Sequence, residues 1–193
     1  MTAVLSHLQA MGRVMLLALP LWLLLRSLFL LSRQRAPRWG REALLALFAL
    51  YVLALAFETL TPGYPGFRLD DTVLTQALQR WRYQRAINLT PGATILAFWH
   101  RGSAEQQLIN LAGNVLVFVP LGFLPPLLWH RWRSWWRAAL LCAGASLSIE
   151  FLQLFLSRSV DVDDLILNVL GGLLGWILWA LLWAILPKKW KLQ

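Results

Sequence analysis

Glu150 stands inside an otherwise apolar run, with Ser146 four residues before it, Gln153 three after and Ser157 seven after. On a helix of 3.6 residues per turn these four share one face, so the run carries a polar stripe. Two further runs open with spaced polar pairs: Asn110 and Asn114 in one, Asp164 and Asn168 in the other. Glu58 closes another run, and Arg158, Asp161 and Asp163 lie in a connecting segment that ends at Asp164. Amides, a guanidinium and carboxylates gathered at one place would hold a sugar or phosphate headgroup through charge-assisted hydrogen bonds. The acids alone allow a second chemistry, with Glu150, Asp161, Asp163 and Asp164 serving as oxygen ligands for Mg²⁺ or Ca²⁺ or as a general base, Glu150, Asp161 and Asp164 being the catalytic candidates. Against it stands the absence of a Ser/His/Asp series, a His-rich phosphatase motif and a phosphate-cradling Gly loop. Asp161-Val-Asp163-Asp164 is a weak metal signature, so no residue is assigned as a metal ligand and no cofactor is expected.

Each polar group also has a plainer reading. The amides can hydrogen-bond between helices, and Asp161, Asp163 and Asp164 can be helix caps and solvated loop charges. Arg26, inside the first apolar run, is expected to snorkel to the membrane surface. His7, His100 and His130 lack partner spacing for metal or proton chemistry. Asn88-Leu89-Thr90 fits a glycosylation sequon, a pattern short enough to arise by chance.

The elements that carry these residues follow from composition. Of 193 residues, 59% are hydrophobic and 14% charged, with 12 Trp and a net charge of +9. An ordinary soluble domain is about half apolar and a quarter charged. Disorder, a collagen repeat and a soluble globule are therefore excluded. A single cysteine, Cys142, excludes an internal disulfide and a multi-cysteine metal site. Roughly 18 to 20 apolar residues cross the hydrocarbon core, and five stretches qualify: Val14–Leu31, Ala43–Leu60, Leu111–Trp129, Ala138–Leu156 and Leu165–Leu186. The expected fold is an all-α integral membrane bundle of about five spans. The first stretch carries Arg26 and lacks a small-residue cleavage site, so it reads as a retained helix and not a signal peptide.

Short basic loops stay cytoplasmic. Arg33, Arg35, Arg38 and Arg41, then Arg131, Arg133 and Arg137, and finally Lys188, Lys189 and Lys191 all fall on one side of five spans. The expected topology is N-terminus out and C-terminus in, which brings the polar ends of four helices to the outer side. In the long connection, Asp70–Ile87 has helical apolar spacing and is expected to lie as an amphipathic helix at the membrane surface or on the spans. Ile95–Trp99, after Pro91-Gly92, is a short apolar piece able to re-enter that surface. Three regions result: an N-terminal span with a basic loop at 1–42, a membrane domain at 43–186 and a basic tail at 187–193.

Three blocks together resemble the VanZ-like family. They are Asn110-Leu-Ala-Gly-Asn114 running on to Pro120-Leu-Gly-Phe123, Ser148-Ile-Glu150-Phe-Leu-Gln153, and Arg158-Ser-Val-Asp161-Val-Asp163-Asp164 running on to Asn168-Val-Leu-Gly171-Gly172. Glu58-Thr-Leu-Thr-Pro62 and Asn88-Leu-Thr-Pro91 are similar to its upstream landmarks, although Gly92 departs from the apolar residue usual there. The resemblance covers about Glu58 to Trp176. It implies a multi-span protein of the bacterial inner membrane, in a family whose founding member gives low-level resistance to the lipid-tailed antibiotic teicoplanin. No established reaction comes with it. Its recurrent polar positions fall on Asn88, Asn110, Asn114, Glu150, Gln153, Arg158, Asp161, Asp164 and Asn168.

Two functions stay open at this point: binding of an amphiphile, either a lipid-linked envelope precursor or a lipoglycopeptide, and catalysis on a lipid-linked substrate. A transporter or channel fits less well, because the charges do not trace a path across the membrane. The expected partners are the lipid bilayer and such an amphiphile. Nucleic acid is not expected, since there is no sizeable soluble domain to present the basic residues.

Overall fold

Within lipid every backbone N–H and C=O must be paired inside the segment, and a lone chain achieves this only as a helix. The computed structural model describes residues 2–34, 36–61, 75, 78–79, 87–101, 103, 111–156 and 158–186. Among them are six helices: α1 Thr2–Ser32, α2 Trp39–Leu60, α3 Ala93–Arg101, α4 Gly113–Leu128, α5 Trp135–Phe155 and α6 Val162–Ile185. Four of these, α1, α2, α5 and α6, are long and apolar enough to cross a membrane. The chain is thus an all-α, multi-pass membrane bundle. The helix expected at Leu111–Trp129 is shorter in its described part, 16 residues, and follows a wider turn at Leu111 and Ala112. It holds Pro120, Pro125 and Pro126, which membrane helices tolerate when neighbours cover the freed backbone groups. The amphipathic helix expected at Asp70–Ile87 lies almost wholly outside the described residues, as do Asn110, Ser157 and the lysines of the tail.

Packing centres on α4 and α6. Gly171 and Gly175, one turn apart on α6, face the α4 backbone so closely that a Cβ on either would fall 2.1 Å or 2.0 Å from the carbonyl oxygens of Val115 and Val119. The small-residue spacing read in the sequence therefore does what such spacing allows, bringing two backbones together. A second cluster joins Met11 of α1, Tyr51, Ala54 and Leu55 of α2, Phe118 and Leu121 of α4 and Cys142 of α5. Inside it the Tyr51 hydroxyl donates to the Val117 carbonyl, so the one polar atom of that ring is not left bare in the core. Around this core many leucines of α1, α5 and α6 point outward, as Leu17, Leu140 and Leu181 do, which is where lipid belongs.

Arg26 has a partner within the bundle. Its Nε and Nη2 donate to the two carboxylate oxygens of Glu42 at 2.6 Å and 2.9 Å, a bidentate pair that joins the end of α1 to the start of α2. At the other end of the same antiparallel pair, His7 Nδ1 meets Glu58 Oε1. Arg26→Ala is expected to lower stability by about 1–3 kcal/mol, because it leaves Glu42 with an unmatched, partly buried charge. Arg26→Ala/Glu42→Ala should regain part of that loss. Thermal unfolding of the two variants in detergent checks this, and a double variant no better than the single one would rule the pair out as the cause.

Candidate functional site

The site is built where two strand-like pieces meet. Ile87–Asn88 (β1) pairs in parallel with Val160–Asp161 (β2), Ile87 beside Val160 and Asn88 beside Asp161. The two ladder segments are only two residues long, so side chains must supply the rest of the join. Asn88 Nδ2 donates to Asp161 Oδ1 at 3.1 Å and to Thr94 Oγ1 at 2.9 Å. The Thr94 hydroxyl in turn donates to Asp161 Oδ2, while the Thr90 amide closes a local turn on Asn88 Oδ1 at 3.0 Å.

Asp161 is also the N-cap of α6, its Oδ1 accepting from the Asp163 amide at 2.9 Å. That agrees with the capping reading from sequence. Asp163 does not agree with the other half of that reading, a solvated loop charge: it has no solvent exposure. Its Oδ1 accepts the Gly92 amide at 2.5 Å, and its Oδ2 accepts the amides of Thr94 at 2.8 Å and Ile95 at 3.0 Å. These are orphan donors at the start of α3, where a helix favours negative charge. Pro91 and Gly92 shape the approach. Ala93 N–H returns to the Thr90 carbonyl at 3.2 Å, and Gly92 takes φ +83, the combination of a type II turn. A glycine at this position is thereby explained.

Glu150 of α5 is buried and reaches the same corner: its Oε2 accepts the Asp161 amide at 3.0 Å. Arg158, the partner nearest in sequence, is not the group that satisfies it. The Arg158 guanidinium donates instead to the Thr61 carbonyl at 3.0 Å, and Gln153 Nε2 donates to the Thr59 carbonyl at 3.0 Å. Both therefore serve carbonyls at the C-terminal end of α2 that have no partner within the helix. Glu150 remains within electrostatic range of Asp161, Asp164 and Arg158. Asn114 Nδ2 of α4 donates to Asp164 Oδ1 at 2.5 Å. Deeper in the bundle Asn168 Nδ2 donates to Ser146 Oγ at 2.9 Å, and Asn168 Oδ1 has no partner among the described residues.

Of the nine residues singled out from sequence, Asn88, Glu150 and Asp161 fall in one hydrogen-bonded set. Asn114 with Asp164, and Arg158, stand at the same end of the bundle. Gln153 binds α2, Asn168 sits below, and Asn110 lies outside the described residues. Two further residues belong to the set: Asp163, weighed among the acids of its segment but not placed among the nine, and Thr94, not singled out at all. For Asp163 the signal was present, one of two acids in the first turn of the helix that Asp161 caps. For Thr94 there was none, because its role depends on a contact with a segment 67 residues away.

Chemically, the corner is an acceptor-rich seat for backbone amides and side-chain amides. Both oxygens of Asp161 and both of Asp163 are engaged in holding chain segments together. No group of three or more His, Cys, Asp and Glu suited to a metal ion occurs among the described residues. Just beyond the corner the α3 surface turns apolar, with Leu96 and Trp99 exposed by 56% and 67%.

A sequence model of one family, described as VanZ/LLP1, matches residues 48–183, most of the chain and every described element of this corner. No curated protein and no solved structure matches it.

Proposed function

Since the chain belongs to the VanZ/LLP1 family, we propose that it binds an amphiphilic ligand at the polar end of the bundle, facing away from the cytoplasm. The ligand is a lipid-linked cell-envelope precursor or a lipoglycopeptide such as teicoplanin, and its capture in the inner membrane protects the cell from glycopeptides. One observation carries the reading: polar groups from four separate stretches, at Asn88, Asn114, Glu150 and Arg158 to Asp164, converge beside the exposed apolar face of α3. A headgroup meets amides and a guanidinium there, and its tail meets Leu96, Trp99 and the lipid. The basic loops at the other end support the orientation.

Catalysis is the less favoured use of this corner, because Asp161 and Asp163 are spent as acceptors that hold chain segments together. The test is susceptibility to teicoplanin in cells expressing the wild-type chain, Glu150→Gln or Arg158→Ala, with membrane levels matched by immunoblot. Wild type is expected to raise the inhibitory concentration, and both variants are expected to forfeit most of that rise. Variants that protect as well as wild type would reduce these residues to structural ties. A wild-type chain that protects no better than an empty vector, and retains no labelled polyprenyl-linked precursor on purification, would end the proposal.

A further inference from the structure

At the opposite end of α5 an open groove of about 890 Å³ runs from Arg131 to Ser148, within the range of small-ligand sites. Beyond Trp136, its lining residues on the helix, Arg137, Leu140, Leu141, Gly144, Ala145 and Ser148, recur at spacings of three and four and so form one continuous stripe. From Arg137 to Ser148 the stripe is roughly 16 Å long at 1.5 Å per residue, about half the 30 Å hydrocarbon thickness, or one leaflet. Gly144 opens its middle, since a Cβ there would meet nothing within 4 Å. Ser148 is already satisfied, its hydroxyl donating to the Gly144 carbonyl at 2.7 Å. The deep end therefore offers no free donor to a polar ligand, and an acyl chain suits it.

The mouth has the opposite character. Arg137 Nη1 donates to the Arg131 carbonyl, which brings the two residues side by side. Their guanidinium groups lie 4.8 Å from the ring of Trp136 and 5.7 Å from that of Trp132. Each ring steadies a cation at the depth where headgroups lie, and each guanidinium keeps further N–H donors for phosphate oxygens.

We infer that this groove is a binding site for one anionic phospholipid, its phosphate held between Arg131 and Arg137 and one acyl chain laid over Leu140, Gly144 and Ala145. The charge at the mouth and the one-leaflet length select this occupant over a neutral lipid, which lacks the net negative charge, and over a free phosphate, which leaves the apolar stripe uncovered. The site lies at the other end of the bundle from the proposed amphiphile corner and does not depend on it.

Native mass spectrometry tests it, with the purified full chain in dodecyl maltoside supplemented with phosphatidylglycerol, phosphatidylcholine or inorganic phosphate. The wild type is expected to retain one phosphatidylglycerol and neither of the others. Gly144→Leu, which fills the groove, and Arg131→Gln/Arg137→Gln are each expected to weaken retention at least about tenfold, or 1.4 kcal/mol. Arg38→Gln/Arg41→Gln removes the same charge elsewhere and should retain the lipid as wild type does. Equal retention of phosphatidylcholine, full retention by Gly144→Leu, or an equal loss in the Arg38/Arg41 variant would each overturn the site. If melting shows that the Arg131/Arg137 variant is unfolded, Gly144→Leu decides alone, because its side chain enters open space.

Discussion

Asp163→Ala is expected to destabilise the detergent-solubilised protein by on the order of 3 kcal/mol and to loosen α3 from the bundle. The carboxylate is fully buried and accepts three backbone amides, from Gly92, Thr94 and Ile95. A hydrogen bond to a charged group contributes about 1.5–3 kcal/mol, and three sharing one carboxylate contribute less than three times that. Removing the acceptor also strands N–H groups that belong to the first turn of α3, where the helix supplies no partner. Asp163→Asn keeps one acceptor oxygen but loses the charge that faces the α3 N-terminus, so about half the effect should remain. Two measurements separate local from global damage. Thermal unfolding reads the whole bundle, and amide hydrogen exchange reads Gly92, Thr94 and Ile95, where each 1.4 kcal/mol of lost anchoring gives about tenfold faster exchange. Wild-type melting together with wild-type protection at these amides would show that Asp163 does not hold α3.

Asp163 was legible in the sequence as one of the acids of this segment, but its role as a buried anchor was not. Capping is a local event, so Asp161 could be read from its position just before a helical run. The partners of Asp163 lie 68 to 71 residues away, and nothing in helical spacing links the first turn of α6 to the first turn of α3. The spans were legible for the converse reason: lipid imposes one solution on every long apolar run, so hydropathy alone yields the helices. Gly171 and Gly175 were legible as a contact surface, but which helix they meet was not. The pairing of Arg26 with Glu42 lay within reach of the sequence, since a short loop makes α1 and α2 antiparallel neighbours and sets the end of one beside the start of the other. Weighing Arg26 as an isolated cation gave the snorkelling expectation alone; weighing it with the next helix would have added the ion pair. At the polar corner the order of the motif blocks indicated that Glu150 and Asp161 share a place. It did not indicate that a backbone amide, and not Arg158, satisfies Glu150.

Gly175→Ala should damage the bundle as much as the loss of Asp163, by a different route. A Cβ at Gly175 would lie 2.0 Å from the Val119 carbonyl oxygen and 2.9 Å from its carbon; at Gly171 it would lie 2.1 Å from the Val115 oxygen. These neighbours are backbone atoms of α4, so no side chain can rotate aside, and the two helices must separate. Overpacking of this kind costs about 1–3 kcal/mol per site, and the close packing between the helices is lost as well. Gly171→Ala/Gly175→Ala is expected to exceed either single change. Gly144→Ala, with nothing within 4 Å of its new methyl, should match wild type or gain slightly from helix propensity. Separation would also reach the polar corner. Asp164 stands two turns above Gly171 on α6, and its partner Asn114 is on α4, so moving the helices apart stretches that bond before any residue of the corner is changed. Melting temperatures of the four variants and the wild type in one detergent test the packing, and teicoplanin protection at matched membrane levels tests the coupling. Protection lost in Gly171→Ala while the protein still melts cooperatively would tie the glycine contact to the geometry of the corner; melting equal to wild type in the double variant would show that α4 and α6 tolerate a wider spacing than this packing implies.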